Sequence, residues 1–201
     1  EGLVKFGYPL EEAREYTNDG CWECIIPGKT AFIYWPSDMV PVLSNAMQID
    51  RDEPADFADF ESLYNRFREV LQEDIDIRHN AIDSDYLDAG FPCALVSLFT
   101  EGCIENARSY QNRGPKYSVK GIHYGGVSDV ANSLLVLKKL VYEDKYLTFR
   151  EFVEVLKNNW EGQEPLRRLI QNRFEFYGND NAEADEYCGI SMFYVIDEFP
   201  F

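Results

Sequence analysis

Gly20-Cys21-Trp22-Glu23 places a thiol and a carboxylate two positions apart, directly after a glycine. A glycine there lets backbone approach where a side chain would collide. Cys21 and Glu23 can then occupy one tight turn with both side chains aimed at one small cavity. That pair suits a reaction needing a sulfur centre and a proton acceptor together. Trp22, Phe32, Tyr34 and Trp35 surround the pair in sequence and point to an aromatic-lined pocket, although ordinary packing accounts for each of them as well.

Other chemistries compete for the same residues. Cys21-Trp22-Glu23-Cys24 is formally a CxxC, the spacing of a dithiol redox site. Such sites sit at a helix N-terminus, which lowers the first thiol's pKa, and Pro27-Gly28 leaves little room for a helix. A zinc site needs two further ligands, drawn from His79, His123 and scattered cysteines. His123 precedes Tyr124-Gly125-Gly126 and reads as a hydrogen-bonded loop histidine, so no metal is expected.

The elements that must position these residues follow from local patterns. Leu10–Tyr16 reads as a short helix leading to the Cys21 turn. Cys24–Ile26 and Thr30–Trp35 read as strands split by Pro27-Gly28. Met39–Met47 reads as a helix and Ile49–Ala55 as an acidic surface connection. Asp56 is expected to cap a helix whose Phe57, Phe60, Tyr64, Phe67 and Leu71 recur at three- and four-residue spacing. A second helix is predicted over Cys93–Asn112, with Leu95, Leu98 and Phe99 buried, ended by Gly114-Pro115 and followed by a strand at Tyr117–Val119. Ser128 is expected to cap a helix with Val130, Leu134, Leu137 and Val141 on its core face. Thr148 and Glu151 form a capping box, with Leu147 and Phe152 as a staple. Pro165 suits the first turn of a helix running to about Phe174. Asp180 and Glu183 are placed to cap a last helix through Met192.

Length and composition bound the rest. The 201 residues are 45% hydrophobic and 15% aromatic, enough for one good core and too apolar for a disordered tail. No apolar run approaches the roughly 18–20 residues that cross a bilayer, so no membrane partner is expected. Nineteen basic against thirty-six acidic residues give a net charge of −17, a surface that repels phosphate backbones and excludes nucleic acid. The acid concentrates in Asp50–Asp59, Glu73–Asp88 and Asp180–Glu186. It reads as a solvated surface, with recruitment of a basic partner as the alternative. Five scattered cysteines without a secretion signal predict reduced thiols in a cytoplasm. The start at Glu1 without a methionine fits excision from something longer.

Two ordered stretches carry a resemblance. The first is Gly7 to Trp35, with its Gly-Cys-x-Glu turn. The second runs from Cys93 to Tyr187 through Cys103-Ile104-Glu105-Asn106-Ala107-Arg108, Gly114-Pro115-Lys116-Tyr117, Gly126-Val127-Ser128-Asp129-Val130-Ala131-Asn132-Ser133-Leu134, Lys138-Lys139-Leu140-Val141-Tyr142, Asn158-Asn159-Trp160-Glu161-Gly162 and Tyr177-Gly178-Asn179-Asp180. Together they resemble the glycyl radical enzymes, the superfamily of pyruvate formate-lyase and the radical diol dehydratases. The resemblance implies an α/β fold, predominantly helical, forming part of a ten-stranded barrel ringed by helices. Residues 1–201 would be a single piece of the catalytic domain, with 1–47 the active-site cysteine region and 56–201 the helical region.

By the same resemblance Cys21 passes a radical to a small-molecule substrate, and Glu23 is the adjacent acid/base. A thiyl radical forms from a neutral S–H in a dry cavity, and the like charge of Glu23 opposes the thiolate that a nucleophilic mechanism would need. No cofactor is expected in the chain itself. The glycyl radical that the family requires lies elsewhere, installed by a radical S-adenosylmethionine activating enzyme, and the full-length enzyme is expected to be a homodimer.

Three departures qualify the match. Trp35 stands where diol dehydratases carry an aspartate, with Asp38 the nearest acid. Trp22 stands where acyl-transferring members carry a second cysteine, which favours a lyase or dehydratase over an acyltransferase-like enzyme. Neither Gly178 nor Gly189 lies in a glycyl radical motif, so the isolated chain is expected to be inactive. The competing class is a non-catalytic helical interaction module descended from the family.

Overall fold

The computed structural model describes residues 1–20, 23–52, 56–88 and 93–197, with backbone alone at 19, 33–35, 79, 81–88, 120 and 190–197. In chain order the elements are α1 (Gly2–Lys5), α2 (Leu10–Ala13), β1 (Thr17–Asp19), β2 (Glu23–Ile25), β3 (Thr30–Asp38), α3 (Met39–Met47), α4 (Phe60–Asp88), α5 (Ala94–Leu98), β4 (Tyr117–Gly125), α6 (Val127–Val136), α7 (Phe149–Lys157), α8 (Glu164–Arg173) and α9 (Ala182–Asp197). A π-helical segment, Leu137–Glu143, continues α6. The strands form two pairs, β1 with β2 and β3 with β4. No helix among the described residues is long and apolar enough to cross a membrane.

The chain divides into two compact units, residues 1–36 with 77–123 and residues 37–76 with 124–200. The second holds the main hydrophobic core. Asp38 caps α3 by accepting the Val40 N–H at 2.9 Å, and Pro41 falls in the first turn, where its missing N–H costs nothing. Met39, Val42, Leu43, Ala46 and Met47 then form one buried stripe at three- and four-residue spacing. Leu63, Tyr64, Phe67, Leu71 and Ile75 do the same on α4, as the aromatic periodicity predicts. Asp59, rather than Asp56, caps that helix, through the Ser62 N–H at 2.8 Å. The helix starts three residues later than expected, and Phe57 packs against the core just ahead of it.

Val130, Leu134, Leu137 and Val141 are buried as expected, across α6 and its π-helical continuation. Ser128 is not the cap. The helix begins at Val127, so Gly126 takes the capping position in a left-handed conformation. Lys138 and Lys139 both pair with Glu183 of α9, at 2.9 and 3.0 Å. Glu183 is therefore an ion-pair partner, and Asn181 supplies the cap of α9 to the N–H groups of Glu183 and Ala184. The Thr148–Glu151 capping box forms in full at α7, and Phe152 is buried. Pro165 falls in the first turn of α8.

The first unit departs most from expectation between residues 93 and 116. Only Ala94–Leu98 is helical, and Leu95, Leu98 and Phe99 are exposed, at 71%, 61% and 75%. The segment turns instead of continuing, with Ala107 and Arg113 at positive φ, so no continuous face exists to bury. Backbone hydrogen bonds hold it: Glu101 N–H donates to the Gly28 carbonyl, Lys116 N–H to Glu101, and Tyr117 N–H to Lys29. β4 accordingly runs from Tyr117 to Gly125, past the predicted end at Val119 and through His123.

Candidate active site

The predicted turn is the tip of a hairpin. The expected helix Leu10–Tyr16 stops at Ala13, and β1, for which the sequence predicts no element, pairs antiparallel with β2 in the register Thr17–Ile25, Asn18–Cys24, Asp19–Glu23. The connection from Asp19 to Glu23 is therefore Gly20, Cys21 and Trp22. Cys21 and Trp22 lie outside the described residues, as do the side chains of Tyr34 and Trp35. Gly20 has φ +58°, a left-handed conformation that a Cβ makes costly. A Cβ there would also sit 3.1 Å from Glu23 Oε2. Glycine is thus required twice, for the turn and for the carboxylate folded back over it.

Glu23 is buried, at 8% exposure. Its Oε1 lies 3.9 Å from Nδ1 of His123, an ion-pair distance longer than a hydrogen bond. His123 stands on β4, not in a loop, and follows Gly121 on the same face of that strand. A Cβ at Gly121 would meet His123 Nε2 at 3.2 Å and Phe32 Cζ at 3.5 Å. Phe32, half-buried on β3, has its ring centroid 6.0 Å from that of His123. The Phe32 N–H donates to the Tyr110 hydroxyl at 3.4 Å, and the Tyr110 N–H in turn donates to Ser97 Oγ at 2.9 Å.

Of the expected site residues, the structure therefore brings Glu23 and Phe32 to one place and adds His123, Gly121 and Tyr110. The predicted end of β4 at Val119 leaves Gly121 unnoticed and puts His123 in a loop, and the predicted helix over Cys93–Asn112 hides Tyr110. The signal available was the alternation of Gly121 with His123 in a β-prone run. Cys24 is exposed, with its sulfur 4.0 Å from Asn18 Oδ1. Asp38 serves as the cap of α3. Among the described residues no group of three or more His, Cys, Asp or Glu could hold a metal. The second unit contains a cavity of about 630 Å³, lined by Leu43, Met47, Val136, Phe152 and Trp160 among others, that holds none of the expected site residues.

A charged clasp supports the hairpin. Glu12 of α2 accepts from Lys116 at 2.7 Å, from the Tyr117 hydroxyl, and from Lys29 at 2.9 Å. These bonds pull its carboxyl down to about 2. The Tyr8 ring packs 4.4 Å from that of Tyr117, and burial, with the nearby Cys24, raises its hydroxyl pKa.

The pyruvate formate lyase-like family model matches residues 1–199. The chain belongs to that family. It is 29% identical to trans-4-hydroxy-L-proline dehydratase of Clostridioides difficile over 92% of its length and 25% of that protein's. It is 30% identical to (2S)-3-sulfopropanediol dehydratase of Klebsiella oxytoca, again over 92% of this chain and 25% of the other. The crystal structure of the C. difficile hydroxyproline dehydratase with its substrate bound matches with a TM-score of 0.80 and 27% identity, covering 98% of this chain and 27% of that one. The chain thus spans about a quarter of the length of the curated relatives it matches. The recognition carried by the Gly-Cys-x-Glu turn and by Cys93–Tyr187 holds. So does the fold class: an α/β, mainly helical part of a glycyl radical enzyme barrel.

Proposed function

We propose that residues 1–201 supply the cysteine-bearing part of a glycyl radical dehydratase or lyase acting on a small molecule. The observation that carries this reading is the buried Glu23 carboxylate at the base of the Gly20 turn, held where a Cβ at Gly20 would touch it. In this reading Cys21, as a thiyl radical, takes a hydrogen atom from a substrate C–H and becomes a thiol, and the carbon–heteroatom bond beside the new carbon radical then breaks. Glu23 Oε accepts a proton from the substrate hydroxyl and passes it to the leaving group, and the Cys21 S–H gives its hydrogen atom back to the product radical, which restores the thiyl radical for the next turnover.

The glycyl radical, when present, supplies the oxidised state that Cys21 uses. This chain's donor set fits that use. Glu23 is shielded from solvent, and the hairpin's other cysteine, Cys24, is exposed. Phe32 is proposed to line the substrate pocket, with Trp22, Tyr34 and Trp35 as the further residues the sequence offers for an apolar wall that would keep water from the radical. The partners of the whole enzyme are a radical S-adenosylmethionine activase and a second copy of the enzyme, in the cytoplasm. The isolated chain is inactive.

Glu23→Gln in the activated full-length enzyme tests the reading. Substrate binding is retained, and kcat falls by about 10²–10⁴, the contribution of a positioned acid/base group. Wild-type turnover in Glu23→Gln overturns the role.

A further inference from the structure

We infer that His123 is a positioning residue for the Glu23 carboxylate, an inference that rests on the proton-transfer role proposed for Glu23. Three observations meet at one place. His123 Nδ1 faces Glu23 Oε1 at 3.9 Å, and the histidine side chain is 32% exposed where the carboxylate is almost wholly covered. Each partner has a glycine that makes room for it: Gly20 beneath Glu23 Oε2 and Gly121 beneath His123 Nε2, with hypothetical Cβ contacts of 3.1 and 3.2 Å. Phe32 flanks the imidazole at a centroid distance of 6.0 Å and closes the same corner on its apolar side.

A buried carboxylate needs a partner that fixes which oxygen faces the reactant. Nδ1 addresses Oε1, while Oε2 is the atom folded toward the Gly20 turn. The two oxygens are thereby distinguished: His123 faces Oε1, and Oε2 is the one nearer Gly20. Catalytic hydrogen bonds are often long until substrate binds, so a 3.9 Å separation leaves room for this contact to tighten in the substrate complex. β4 is paired to β3, so the imidazole is carried by a hydrogen-bonded strand, the kind of element that positions a side chain more firmly than a loop does.

The test measures kcat per glycyl radical in the activated full-length enzyme, so differences in folding or activation cancel. An asparagine places its side-chain amide where Nδ1 lies, whereas glutamine reaches the position of Nε2. His123→Asn is expected to keep kcat within about threefold, while His123→Leu and His123→Gln lose about 10- to 100-fold with KM little changed. Where the leucine variant fails to accept the radical, the glutamine variant supplies the same comparison. His123→Gln added to Glu23→Gln costs nothing further, since the histidine acts through the carboxylate. Equal losses in His123→Asn and His123→Gln, or unchanged kcat in His123→Gln, overturn the inference while a dead Glu23→Gln leaves the proposed function standing. A Glu23→Gln enzyme of normal kcat sinks the function proposed for Glu23, and the His123 inference with it.

Discussion

Gly20→Ala separates the two reasons for which this turn requires glycine. The first is conformational: φ +58° costs a residue with a Cβ about 1–2 kcal/mol. The second is contact. The new Cβ would lie 3.1 Å from Glu23 Oε2, against 3.4 Å at the near edge of ordinary contact, so the carboxylate must retreat by about 0.3 Å. If 1 Å of misplacement costs about 10²-fold, a retreat of about 0.3 Å costs about fourfold in kcat. Gly162→Ala is the control, because Gly162 has φ +71° with nothing within 4 Å of its hypothetical Cβ. Both variants lose similar stability in a thermal or denaturant titration. Only Gly20→Ala loses kcat, by about three- to tenfold per glycyl radical, and only it alters proton transfer. Equal kcat in the two variants would refute the claim that the turn is shaped around the carboxylate.

Further outcomes follow from the packing and the charges. Leu134→Ala, at a fully buried position of α6, lowers stability by about 2–5 kcal/mol in a denaturant titration. Thr148→Ala removes one half of the capping box of α7 and costs about 1 kcal/mol in the same measurement. The Glu12 clasp carries a sign that acid titration reads. Its carboxyl is held at about 2 against an ordinary 4.5, chiefly by the Lys116, Tyr117 and Lys29 hydrogen bonds, so its stabilisation is complete above about pH 5 and fades as pH falls toward 2. Limited proteolysis of residues 1–36 therefore accelerates between pH 5 and 2 in the native chain. In Glu12→Gln it is faster at neutral pH and changes less across that range.

Where local signals agreed, the fold was legible. Thr148, Glu151 and the stripe of α7 state one helix three times over, and α3 runs over Met39–Met47 as its five-residue apolar stripe dictates. Caps were harder. Asp59 and Asn181 displaced Asp56 and Asp180 because several acidic and amide residues crowd each helix start, and only backbone geometry chooses among them. The 93–116 segment misled because Leu95, Leu98 and Phe99 mimic a helical stripe, while the segment is held by long-range backbone hydrogen bonds that leave no periodic trace. In the site, Gly20 and Glu23 were legible from adjacency. His123 was not, because it reaches Glu23 through strand β4, one hundred residues further along the chain.

Cys21→Ala in the full-length enzyme, activated anaerobically, tests the central claim most directly. On the proposed reading the radical is stored outside residues 1–201 and delivered by Cys21, so electron paramagnetic resonance still shows the glycyl doublet at wild-type intensity while turnover of the natural substrate disappears. Normal turnover in Cys21→Ala would contradict the account.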